Sequence, residues 1–254
     1  MIANRIVLIF LILMGISMNA QKRQLIWEEE FNGNKLNSES WNFELGDGCP
    51  DRCGWGNNEK QIYTDQNHKI EDGYLTITAR KEGDNYSSTR ITTQGKKEFK
   101  YGRMEARLKL PLGQGVWPAF WMLGQNIGKV GWPLCGEIDI MEYVGREPET
   151  LFTTLHTKDS HGNSKNTRKA SVPGIEDGFH VYAVEWTETE MSFYVDDELF
   201  YTFAPSERTV EVWPFDQPFY IILNLAIGGN FGGSEIDEAI FPVDYVIDYV
   251  KVYQ

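Results

Sequence analysis

The stretch Tyr101-Gly102-Arg103-Met104-Glu105-Ala106-Arg107-Leu108-Lys109-Leu110 decides the fold class. Met104, Ala106, Leu108 and Leu110 fall on one side of an extended chain, and Arg103, Glu105, Arg107 and Lys109 on the other. A period of two marks a half-buried strand, because successive side chains of a strand point to opposite faces. Working outward, residues 73–79 follow the turn Glu71-Asp72-Gly73, and residues 181–186, 191–195, 198–203 and 245–253 read as strands in the same way. Residues 219–227 are nearly all apolar, as expected of a central strand covered on both faces, and Gly228-Gly229 ends it. No segment keeps a 3.6-residue period over a dozen positions. Short strands with turn signals at regular spacing predict an all-β chain of two packed antiparallel sheets, a jelly-roll sandwich.

Residues 1–20 stand apart from this pattern. Arg5 precedes the apolar run 6–16 and then Ser17-Met18-Asn19-Ala20, the layout of a cleavable signal peptide. The run is too short to span a bilayer, which takes about 20 apolar residues. The expectation is a secreted or periplasmic protein without a membrane anchor after cleavage, and one domain over residues 21–254. Three cysteines fit an oxidising compartment. Cys49 and Cys53 are spaced for a small disulfide loop, with a metal-ligand pair as the competing reading, and Cys135 is left as a buried apolar residue.

The formal net charge is −13, and losing Arg5 with residues 1–20 makes it −14. That balance excludes a nucleic-acid partner, whose affinity rests on Lys and Arg neutralising phosphates. It also disfavours sulfated polymers. The 8 Trp, 12 Tyr and 14 Phe are either core mass or flat faces for a ligand, and position must decide.

The chemistry gathers in Gly136-Glu137-Ile138-Asp139-Ile140-Met141-Glu142-Tyr143-Val144. In a strand, Glu137 and Asp139 share a face while Ile138 and Ile140 point to the core. Strict alternation would send Glu142 into the core, where an unpaired carboxylate is costly. A β-bulge near Ile140–Met141 would return it beside the other two acids. Paired carboxyls about 5 Å apart suit a retaining glycoside hydrolase, and crowding raises at least one pKa so that a proton is held near neutral pH. The bland alternative is an acidic cation site. In Trp117-Pro118-Ala119-Phe120-Trp121-Met122, period two puts Trp117, Ala119 and Trp121 on one face, leaving room between two indoles for a pyranose ring. Trp132 stands just before the acids. The alternative for each Trp is a core position.

These residues resemble glycoside hydrolase family 16, in its laminarinase-like endo-β-1,3-glucanase branch. The resemblance rests on Gly131-Trp132-Pro133 with the acidic stretch, on Cys53-Gly54-Trp55-Gly56-Asn57-Asn58-Glu59, on Trp117–Met122, on residues 101–107 and on Asp248-Tyr249-Val250-Lys251-Val252-Tyr253. It implies a concanavalin-like sandwich with a concave substrate cleft. Glu137 would be the nucleophile, Glu142 the acid/base and Asp139 their electrostatic partner. Asn58, Arg103, Trp117, Trp121, Trp132 and His156 would contact sugar. Glu59 would orient its neighbours, and Asn224 is a weaker carry-over, with a backbone-bonding role as its alternative. The resemblance also implies no cofactor for catalysis, and a structural calcium held by Glu30, the Gly73 carbonyl and Asp248. His156 and His161 lack the HExxH arrangement and give no sequence sign of zinc. The expected partner is a neutral β-glucan met by a monomer. The competing functions are mixed-linkage β-1,3-1,4-glucan hydrolysis and a non-catalytic glucan-binding module.

Overall fold

A computed structural model describes residues 23–254, so the expected signal segment at residues 1–20 lies outside the described residues. Two sheets face each other. The outer sheet runs Glu198–Phe203, Met191–Val195, His180–Trp186, Gly102–Lys109, Val243–Tyr253, Tyr74–Glu82, Asn85–Ser88, Gln61–Tyr63. Leu25–Glu29 also pairs with Val243–Tyr253, and His68–Glu71 with Tyr74–Glu82. The second sheet, which carries the acids, runs Thr167–Ser171, Thr150–His156, Glu137–Tyr143, Val116–Gly124, Phe219–Ile227, Arg90–Thr92, Asn42–Phe43, with Glu98–Phe99 also beside Phe219–Ile227. Pairing is antiparallel among the described strands except for Gln61–Tyr63 with Asn85–Ser88. Among the described residues the two α-helices are single turns, Ile127–Val130 and Gly229–Gly232.

The alternation read in the sequence builds the core. Met104, Ala106 and Leu108 are fully buried from the outer sheet and meet Phe120, Met122, Ile138 and Met141 from the acid-bearing sheet. Burying each such large side chain contributes about 1.5–3 kcal/mol. Phe219–Ile227 is buried at every position, as a strand with neighbours on both edges and cover on both faces must be. The Cys49–Cys53 disulfide is formed, and Cys135 is a buried free thiol in a second apolar cluster with Leu123, Tyr220 and Ile222.

The bulge falls where the sequence requires it. On one edge Trp121 pairs with Asp139 and Phe120 with Met141, leaving Ile140 as the extra residue. On the other edge Asp139 pairs with Thr154 and Glu142 with Phe152, so Thr153 alone faces the two bulge residues. Ile138, Ile140, Met141 and Tyr143 thereby all enter the core, and Glu142 emerges on the face of Glu137 and Asp139. A bulge locally disrupts the ladder. The buried Thr153 hydroxyl lies 2.6 Å from the Asp139 carbonyl and 3.2 Å from that of Ile140, donating into the gap between them.

Candidate active site

Glu137, Asp139 and Glu142 line one open sheet face, each with a distinct set of neighbours. Trp132 Nε1 donates to Glu137 Oε2 at 2.9 Å, and Trp117 Nε1 donates to Glu142 Oε1 at 3.0 Å. His156 Nε2 lies 3.2 Å from Asp139 Oδ2 and 3.6 Å from Glu137 Oε1. The register that opposes Glu137 to His156 on the next strand brings it there. Burial, and then the charge of Asp139, raise the Glu137 carboxyl and hold Glu142 well above the ordinary carboxylate range, while His156 and the indole N–H groups pull the other way. Burial raises Asp139 as well. Three crowded acids out of water cannot all ionise, so the cluster stores protons at neutral pH.

Of the expected platforms, Trp132 presents the open one, 46% exposed. Trp117 packs edge-on against Phe231, and Trp121 is covered by the Arg90 guanidinium 4.8 Å from its ring centre. Arg90 is the cleft's arginine. It is 5% exposed, sits between Trp55 (4.5 Å) and Trp121, and is paired with Glu44. The expectation for Arg103 is corrected: it lies on the other sheet, on the face turned away from the core. There it bonds Glu105 at 2.7 Å, Glu185 at 3.2 Å and Asp197 at 2.8 Å. Its face is polar, as the alternation predicts, but that face belongs to the outer layer. Arg90 had a signal of its own, the alternation Thr89-Arg90-Ile91-Thr92 with Ile91 in the core.

Asn58 reaches across to Asn230, donating to its Oδ1 at 2.8 Å, and so ties the Cys53–Gly56 loop to the turn after the central strand. Glu59 accepts from Asn57, Gln61 and Tyr63, an orienting role as expected. Asn224 bonds side chains rather than backbone, accepting from Trp121 Nε1 at 2.7 Å and donating to the Tyr63 hydroxyl at 3.0 Å. Tyr63, Gln61, Thr153 and Phe231 were not anticipated, because their roles exist only once distant strands are adjacent.

At the far side of the sandwich, Glu30 follows a strand that sets Glu29 against Val250, and Gly73 precedes one that sets Leu75 against Ile247. The register thus gathers Glu30, Gly73 and Asp248 at one corner. Lys251 donates to Glu30 at 3.0 Å and Arg107 pairs with Asp248. The donors are all oxygens, the chemistry a hard cation takes, though each carboxylate is shared with a basic side chain.

Comparison with known proteins follows the same lines. Residues 56–251 match the family described as glycosyl hydrolases family 16. The chain is 42% identical over 269 residues to a Rhodothermus marinus protein named Beta-glucanase, covering 96% of this chain and 92% of that one. The crystal structure of a laminarinase from Flavobacterium sp. UMI-01 superposes with a TM-score of 0.90 at 64% identity, over 91% of this chain and all of that one (100%). That of an endo-β-1,3-glucanase from Pyrococcus furiosus gives 0.86 at 43% identity, over 91% and 94% of the two chains. A bulged strand with three acids on its open face, the matched span and these relatives lead to one conclusion: the chain belongs to glycosyl hydrolases family 16.

Proposed function

We infer that the protein is a retaining endo-β-1,3-glucanase that cleaves internal linkages of laminarin-type β-glucan. The observation that carries the reading is the bulge, which sets Glu142 on the open face beside Glu137 and Asp139, with one indole N–H on each glutamate. Glu137 attacks the anomeric carbon while Glu142 gives its proton to the leaving oxygen. A covalent glycosyl-enzyme forms and the departing chain leaves with that proton. Loss of the charge on Glu137 lowers the pKa of Glu142, which then takes a proton from water as the water displaces Glu137. Burial, with the Asp139 carboxyl beside it, keeps Glu142 protonated in the first half. Trp132 offers a sugar ring its exposed face, and Asn58 lies at the loop end of the cleft.

The amino-terminal segment supports export and action outside the cytoplasm. A structural calcium at the Glu30, Gly73 and Asp248 corner would tie the first and last strands together, with no part in bond cleavage.

Incubation with laminarin tests the function. Glu137→Gln and Glu142→Gln should each lower kcat by about 10²–10⁴-fold or more with the fold intact. The first product seen by NMR should be the β-anomer. Azide should rescue Glu142→Gln on a substrate with a good leaving group. A near-wild-type rate in either variant, or binding without cleavage by the wild type, would overturn the reading. Faster attack on mixed-linkage glucan would overturn the linkage preference alone.

A further inference from the structure

Proton chemistry accounts for the three acids but leaves two buried polar atoms without partners. Asp139 is 3% exposed, and its Oδ2 accepts no hydrogen bond despite lying beside His156. His156 Nδ1 is likewise buried and unbonded. Such atoms cost free energy unless something else engages them. Donor atoms of Glu137, Asp139 and His156 all lie within 4.8 Å of one another.

We propose that Glu137, Asp139 and His156 form an inhibitory site for a borderline divalent metal, Zn²⁺, which binds in competition with the glucan. Zinc bonds nitrogen and carboxylate oxygen at about 2.0–2.2 Å, so donors on adjacent corners of a tetrahedron stand about 3.3–3.5 Å apart. His156 Nε2 stands 3.2 Å from Asp139 Oδ2 and 3.6 Å from Glu137 Oε1. These two separations bracket the tetrahedral spacing. The Glu137 and His156 side chains keep 17% and 13% exposure, which gives an entry path from the cleft and leaves the fourth corner open to water. The ion would bind Glu137 Oε1 while Trp132 keeps its bond to Oε2.

The donor set fixes the kind of metal. One imidazole with two carboxylates suits zinc, whereas calcium and magnesium take oxygen alone. The unbonded His156 Nδ1 sets the strength. Metal-bound histidines ordinarily anchor their second nitrogen, and lacking that anchor costs about 10–100-fold in affinity. The site is therefore a weak, reversible block rather than a resident metal centre. His161 takes no part: its Nδ1 faces the Thr157 carbonyl at 3.2 Å, and the Trp132 ring packs against it 5.3 Å between centres.

Isothermal titration of the chain with ZnCl₂ in chelator-free buffer reads binding directly, independently of turnover. One ion per chain is expected, with protons released as the acids give them up. His156→Gln and Glu137→Gln should each weaken binding about tenfold or more, and His161→Gln should not. With laminarin as substrate, Zn²⁺ should raise the apparent KM and leave kcat unchanged. Absence of binding, the same affinity in His156→Gln, or a fall in kcat at constant KM would overturn the proposal. Circular dichroism checks each variant's fold, and Glu137→Gln carries the test if His156→Gln does not fold. A chain that binds Zn²⁺ but does not cleave laminarin would refute the hydrolysis reading and leave the metal site standing.

Discussion

Glu142 shows what the site does to a single residue. Burial and Asp139 hold its carboxyl well above the ordinary value of 4.5, so the folded chain keeps a proton that the unfolded chain releases as pH rises past that point. The contribution to stability is full below the unfolded value and is lost progressively as pH climbs towards the folded one. Glu142→Gln, which cannot ionise and still offers Trp117 an acceptor, should melt close to the wild type near pH 4. Near pH 8 it should be the more stable of the two. Melting temperatures across that range decide it, and a gap that does not widen with pH would sink the assignment. Arg103 carries a different lesson at this scale. Its residue type and its polar face were legible, but whether that face lined the cleft was not.

At the scale of elements, the bulged strand Glu137–Tyr143 needs its neighbour. Thr153 contributes no side chain to the open face, yet its hydroxyl donates into the bulge, at the Asp139 and Ile140 carbonyls. Thr153→Val keeps the shape and removes the donor. It should cost about 1–3 kcal/mol in stability, with kcat on laminarin falling more than KM rises, because Glu142 rides on the bulge. Thr153→Ser should restore both. Unchanged kcat in the valine variant would mean that the bulge is held by packing alone. The strand's own demand for a bulge was readable, since three acids among Ile, Met, Tyr and Val admit no other economical register. Its partner was not, because Thr153 lies in an ordinary alternating run, Thr150–His156.

For the molecule as a whole, the first and last strands meet in the outer sheet, where Glu30, Gly73 and Asp248 come together. Millimolar calcium should raise the melting temperature by a few degrees, approaching about 2.7 kcal/mol at roughly a hundred times Kd, and a chelator should reverse it. The rate on laminarin should not follow, since the corner and the acids lie on opposite sheets. No change in melting temperature would remove calcium from the account. Sequence alone determined the strand periodicity, the sandwich, the three acids and the bulge among them, because each is a local conflict between pattern and burial that one segment states in full. Tertiary structure alone decided which arginine enters the cleft, which side chain caps the bulge and that His156 stands over Glu137 and Asp139. Those depend on which strands become neighbours and in what register, and pairing partners far apart in the chain leave no mark on either segment by itself.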